Sequence, residues 1–401
     1  MASFNPNIPV RGNPFLDIPS DIDAHPFRLV WEDICSVSYL ARLLPSIFLP
    51  VLPLGSGPLD ELYPNCHNLC GVSLHVILII SQVFLTLSLP VALAICWIFP
   101  TGVHIAFIAA FTFFTMVIVR LLNGPPTGRS LIGIPQTRDP VNDETEPWFF
   151  INGIATGKHW HQSNLTALAD TFGRQIVGIH NPTKGVILDL VECLIQRDLE
   201  YKTADIRQGR AQLRAALTAS TTKKAVLIVH SQGGIVASSI IDWLYGELSQ
   251  SQIQKLEIYT FGNAARQFRN PPLHELHHND PAGTTPRRQI QGERAIRNIE
   301  HYANTKDFVA NIGALQFTAS AGAYSNASVF SGTVFIREGS GHLFNMHYLH
   351  PMFGEHSAFM ESTVDVRPRN GPGKTVSMRM RELSRLYNYK NGRSPEDQDA
   401  M

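Results

Sequence analysis

Residues 226–244 read VLIVHSQGGIVASSIIDWL, and the fold turns on how this stretch divides. Val226, Leu227, Ile228 and Val229 make a short continuous apolar run, the pattern of a strand buried on both faces. A helical pattern begins at Gly233, so His230-Ser231-Gln232-Gly233-Gly234 forms the corner between strand and helix. A serine at such a corner has its hydroxyl pushed out of the carboxyl edge of the sheet. The helix that follows aims its first amides at negative charge developing there. Gly233 and Gly234 leave room where the turn crowds its neighbours.

Working outward, the same alternation continues on both sides of the corner. WFFINGI (148–154), QIVGIHN (175–181), KLEIYTFGN (255–263), RAIRNIEHYAN (294–304) and TVFIREG (333–339) read as strands. SNLTALADTFGR (163–174) reads as a helix capped by Ser163, with Leu165, Leu168 and Phe172 on one face. Residues 185–217 read as a long helical region, either an ordinary crossover or a mobile lid. Strands followed by helices at this spacing predict a parallel sheet with crossovers. The Pro- and His-rich stretch 271–293 interrupts the pattern and reads as a surface insertion.

The corner residues resemble those of the α/β-hydrolase family, in particular its lipase and serine-esterase branches, whose corner often reads Gly-His-Ser-Gln-Gly-Gly. The resemblance covers residues 148–360 and departs at Val229, where the family carries a small residue. It implies Ser231 as nucleophile, followed along the chain by an acid and then a histidine. Asp307, just past the strand-like 294–304, is the expected acid, with Asp280 as a rival. His342, just past 333–339, is the expected base, with His347, His350 and His356 as rivals. The family's oxyanion donors are backbone amides, which here fall on Ile154, in the loop Asn152-Gly153-Ile154-Ala155-Thr156-Gly157, and on Gln232. No cofactor or metal is implied. His159-Trp160-His161 and His277-His278 lack a Cys or carboxylate at ligand spacing, and the first trio is expected to line or cover the substrate entrance.

The N-terminal third carries a different signal. No Asp, Glu, Lys or Arg occurs between Glu61 and Arg120, although charged residues make up 16% of the chain as a whole. Two apolar runs in this interval, broken by Pro100, Thr101 and Gly102, are each long enough to cross a bilayer core of roughly 30 Å. The organisation expected is a Pro-rich segment (1–70), a transmembrane hairpin (71–123), a linker (124–147), the α/β-hydrolase domain (148–360) and a polar tail (361–401) with one helix near its middle. Arg42, Arg120 and Arg129 flank the hairpin and the turn has no cation, which favours cytosolic termini. A single tilted span would instead put the domain in a lumen and make the Asn164 and Asn326 sequons usable. No cleavable signal peptide is expected from the first residues, and five scattered cysteines suit a reducing compartment. Cys66 and Cys70 stand where palmitoylation occurs, and the apolar stretch around residues 36–53 suits either the membrane interface or packing on the domain.

Lys plus Arg equals Asp plus Glu at 33 each, which argues against nucleic acid as a partner. The partners expected are the lipid bilayer and a hydrophobic ester or thioester substrate. The function expected is a membrane-anchored serine hydrolase. Its alternatives are an acyltransferase or a specialised-metabolite hydrolase with the same residues, or a non-catalytic membrane scaffold.

Overall fold

A computed structural model describes residues 25–53, 55–95, 100–125, 130–137, 139–141, 143–273, 294–320, 330–366 and 376–395. Its apolar runs pair into one seven-stranded sheet. The strands are β1 (Leu131–Gly133), β2 (Trp148–Ile151), β3 (Ile176–Ile179), β4 (Ala225–His230), β5 (Leu256–Phe261), β6 (Asn298–Asn304) and β7 (Thr333–Arg337). Their spatial order is β1-β3-β2-β4-β5-β6-β7, and only β1 with β3 is antiparallel. Strands β4 and β5 are buried at every position, which is why their sequences show no polar alternation.

The helices before the sheet are α1 (Pro26–Leu40), α2 (Cys66–Ala94) and α3 (Thr101–Asn123). Those within it are α4 (Lys158–Phe172), α5 (Val186–Asp198), α6 (Ala204–Thr218), α7 (Gly233–Tyr245), α8 (Gln250–Ile253) and α9 (Phe308–Ile312). One face of the sheet packs on α6 and α7 through Val229, Leu227, Ile240 and Leu213. The other packs on α4 and on the C-terminal residues through Phe150, Ile228, Leu168 and Tyr389. The chain leaves β2 towards β3 and leaves β4 in the opposite direction towards β5. The topology therefore switches direction at the carboxyl ends of β2 and β4, the usual place for a ligand in an open α/β sheet.

Helices α2 and α3 each contain an 18-residue stretch with a mean hydropathy of 2.3 and are long and apolar enough to cross a membrane. They are joined to the rest of the chain by particular contacts. Asn123 Nδ2 donates to the Thr183 carbonyl (2.7 Å), and Gln82 Nε2 donates to the Lys184 carbonyl (2.7 Å).

The structure differs from the sequence reading at several elements. Helix α4 starts at Lys158 with Gly157 as its N-cap, so Ser163 lies inside it. Gly157 is close to α3: a Cβ there would stand 2.7 Å from the Leu122 carbonyl oxygen. Asn164 is buried in α4, which leaves its sequon out of reach, while Asn326 lies outside the described residues. Residues 185–217 are two helices, because the chain leaves helical geometry at Glu200 (φ +50°) and restarts after Thr203. Residues 131–133, inside the expected linker, add an edge strand to the sheet. Residues 376–388 are a strand, Val376–Arg379, and two short helices rather than one helix. Met380, Leu386 and Tyr389 are buried on the sheet, and Arg385 pairs with Glu257 on β5 at 2.9 Å. Most of the insertion at 271–293 lies outside the described residues.

Helix α1 is fixed by charge. Asp33, buried, meets Arg197 of α5 at 3.0 Å and Arg266 at 2.8 Å. Two guanidinium groups share this carboxylate; without it Arg266 keeps Glu32 (3.0 Å), but Arg197, whose side chain is 5% exposed, loses its ion-pair partner. Asp33→Ala is expected to cost about 3–5 kcal/mol. The thermal unfolding midpoint in detergent should fall, and protease should cut more readily within residues 25–47. A midpoint equal to wild type would contradict this account.

Candidate active site

Ser231 ends β4 with φ +56°, a left-handed conformation that costs a non-glycine residue of order 1–3 kcal/mol. Three backbone hydrogen bonds hold it there. Its N–H donates to the Phe261 carbonyl (3.0 Å), and its carbonyl accepts from Gly234 (2.9 Å) and Ala264 (3.2 Å). Val229 does not prevent this bend. It is fully buried, in register with Ile151 and Thr260, and the close approaches fall on the two glycines, where a Cβ would stand 2.5 Å from the Ile151 carbonyl oxygen at Gly233 and 2.0 Å from Asn263 Oδ1 at Gly234.

The structure brings Ser231, Asp307 and His342 together from the carboxyl ends of three strand–loop junctions. Ser231 Oγ lies 2.8 Å from His342 Nε2, and His342 Nδ1 lies 2.8 Å from Asp307 Oδ2. Asp307 is the N-cap of α9 and accepts the Val309 amide at 2.8 Å, which fixes its carboxylate. A second donor, the Tyr348 hydroxyl, reaches Asp307 Oδ2 at 2.5 Å. Since the carboxylate only accepts, His342 Nδ1 carries the proton and Nε2 is free to accept from the serine hydroxyl. Gly262 (φ +52°) permits this approach, because a Cβ there would stand 2.9 Å from Asp307 Oδ2 and 3.0 Å from the His342 ring.

The ring is also positioned through its own backbone. The His342 amide donates to the Ile47 carbonyl (2.9 Å), and its carbonyl accepts from His230 Nε2 (2.8 Å). Burial, with His342 alongside, holds His230 well below the ordinary imidazole range, so it stays neutral. Ser231 is 3% exposed, His342 6% and Asp307 0%, so the three groups sit in a nearly closed site. Part of the cover is the N-terminal segment, whose Pro50 carbonyl accepts from His347 Nε2 at 2.9 Å.

The loop after β2 lies over the serine. A Cβ on Gly153 would stand 2.5 Å from Ser231 Cβ and 3.1 Å from its Oγ. Buried Asn152 anchors the loop by accepting the Asn181 amide (2.9 Å) and donating to the Asn181 carbonyl (2.8 Å). Asp189 of α5 accepts the Ala155 amide (3.0 Å), and burial raises its carboxyl above the ordinary range. Ile154 therefore lies between two anchored residues, beside Gly153. Gln232, its side chain held by Asn181 (2.6 Å) and Gln196 (2.9 Å), caps the N-terminus of α7. The first amides of a helix lack intrahelical partners, so this corner suits an oxyanion.

The rival histidines and acid lie elsewhere. His347 is occupied by Leu343 and Pro50, His350 pairs with Asp60 at 2.8 Å, and His356 is exposed. Asp280 lies outside the described residues, as do His277 and His278. His159, Trp160 and His161 are held by neighbouring rings. His159 stacks on His67 and Trp160 on His75, both from α2, while His161 is buried between Phe150 and His180. Tyr348, Asp189 and Gln196 were not visible as site residues in the sequence, since no strand end or turn marks them; Asn181, at the end of the strand-like 175–181, carried that signal but was not singled out. A scan against models of known protein families finds no match for this sequence, and a search of curated proteins finds none either.

Proposed function

We propose that this chain is a membrane-anchored serine hydrolase of the α/β-hydrolase type that cleaves an ester or thioester of a hydrophobic substrate. The observation that carries the reading is the unbroken hydrogen-bonded chain from Asp307 through His342 to Ser231, at a serine held with positive φ. In the reaction, His342 Nε2 takes the hydroxyl proton as Ser231 Oγ bonds to the carbonyl carbon, with the amides of Ile154 and Gln232 facing the oxyanion. The C–O or C–S bond breaks, and the leaving group departs with the proton from His342. Water then repeats the sequence on the acyl-serine, releasing the acid and restoring the hydroxyl. No cofactor or metal takes part in this scheme. A bilayer beside the site concentrates apolar esters, and the flanking arginines favour a cytosolic domain.

An alkyl fluorophosphonate provides the test. The serine oxygen should displace fluoride and leave a stoichiometric phosphonyl adduct on the peptide that contains Ser231. An adduct on another residue, or none while the protein remains folded, would defeat the reading.

A further inference from the structure

The hairpin sets how deep the rest of the chain stands in a membrane. Leu78 of α2 and Ile118 of α3 are buried in one small cluster, so these positions lie at one level. Helix α3 is free of charge from Thr101 until Arg120, about 28 Å at 1.5 Å per residue, close to the hydrocarbon core of roughly 30 Å. The boundary nearer the sheet therefore falls near Arg120. Gln82 is one helical turn deeper than Leu78, and it is here that α2 meets the Lys184 carbonyl (2.7 Å). Gly185 sits against it so closely that a Cβ would stand 2.4 Å from Gln82 Nε2. Thr183 bonds to Asn123, which lies beyond Arg120 on the side of the sheet, and the Gln82 side chain reaches back to its neighbour, so residues 184–185 and the start of α5 stand close to the hydrocarbon boundary.

The side chains there suit that depth. Helix α5 exposes Leu188 (45%), Leu190 (49%) and Val191 (47%). Helix α1, packed against α5, exposes Phe27, Trp31 and Ile34, which repeat at i, i+4 and i+7 on one face. Lys184 is paired with Glu192 and Arg28 with Glu32, which lowers the cost of bringing these charges to the boundary. Helix α5 is also part of the site's cover, since Asp189 holds Ala155 and Gln196 holds Gln232.

We propose that α5 and α1 lie along the hydrocarbon boundary of the leaflet nearer the sheet, with their exposed apolar side chains among the acyl chains, and that substrate reaches Ser231 past α5 from the leaflet rather than from water. The first half rests on the hairpin alone, whereas the second rests on the serine-hydrolase reading as well.

The full chain in phosphatidylcholine vesicles, doped with a phosphatidylcholine carrying a diazirine midway along one acyl chain, tests the depth without any substitution. Irradiation should leave adducts on residues 186–199 and 26–40 as well as on α2 and α3. Residues 250–253, at the opposite edge of the sheet, should be labelled at least about tenfold less. Adducts confined to α2 and α3 would overturn the proposal. In the same vesicles, a long-chain alkyl fluorophosphonate should modify Ser231 at least about tenfold faster than an ethyl one, because it partitions to the side from which the site is reached. Equal rates would overturn the route from the leaflet. Failure of both reagents, with lipid adducts retained on α5, would instead remove the hydrolase reading and leave the depth standing.

Discussion

Ser231→Ala should lower the turnover of a long-chain nitrophenyl ester by about 10⁴-fold or more, while the thermal midpoint stays within a few degrees of wild type. Removing one nucleophile of a unit that acts together costs nearly as much as removing all of it, because the base and carboxylate then have nothing to activate. The fold loses little, since Ser231 Oγ is bonded to His342 and does not support the core. Ser231→Gly separates chemistry from conformation. It should be equally inactive, yet more stable than Ser231→Ala by about 1 kcal/mol, because only glycine adopts φ +56° without strain. A Ser231→Ala protein that retains a tenth of wild-type turnover would move the nucleophile elsewhere. A glycine variant less stable than the alanine one would deny the strained corner.

The parts of this arrangement that were legible in the sequence are those written in local pattern. Residues 226–244 announce a strand, a corner and a helix because the apolar run and the helical repeat meet at Ser231. Asp307 and His342 could be singled out because each follows a strand-like run, and the structure sets them beside Ser231. What escaped is carried by single long-range contacts. Asp33 meets Arg266, 233 positions later, and Glu61 accepts the amides of Asn345 (2.9 Å) and Met346 (3.3 Å). Neither contact leaves a periodic trace, so residues 25–65 read only as part of a Pro-rich segment, with the stretch 36–53 suited to the membrane interface or to the domain, although they help to close the site. The same holds for residues 380–389, which read as polar because the buried positions Met380, Ser384, Leu386 and Tyr389 are scattered among polar neighbours. Ser163 misled for the opposite reason. It is a good capping residue, but the helix extends to Gly157, where the backbone meets the end of α3.

Asp307→Asn should lower kcat/KM by about 10⁴-fold, or about 5 kcal/mol of transition-state stabilisation, with Ser231 and His342 both intact. Three donors converge on this carboxylate: the Val309 amide on Oδ1, and His342 Nδ1 and Tyr348 Oη on Oδ2. An asparagine offers one accepting oxygen and one donating nitrogen. If the oxygen keeps the helix cap at Val309, the nitrogen faces His342 and donates to Nδ1. The proton then moves to Nε2, and the ring can no longer accept from Ser231. If the amide turns round, the cap and its geometry are lost instead. Tyr348→Phe removes only one of the donors to the carboxylate and should cost about ten- to a hundredfold, the range for one hydrogen bond to a charged group. The pH profile adds a constraint of definite sign. Burial and the neighbouring His342 push the pKa of His230 well below 6.5, so lowering the pH through the range where a free imidazole protonates does not charge His230. The acid limb of wild-type kcat/KM should therefore fall with a slope of one, set by the base alone. A slope of two, or an Asp307→Asn enzyme within tenfold of wild type, would mean that the hydrogen-bonded chain is not the proton path.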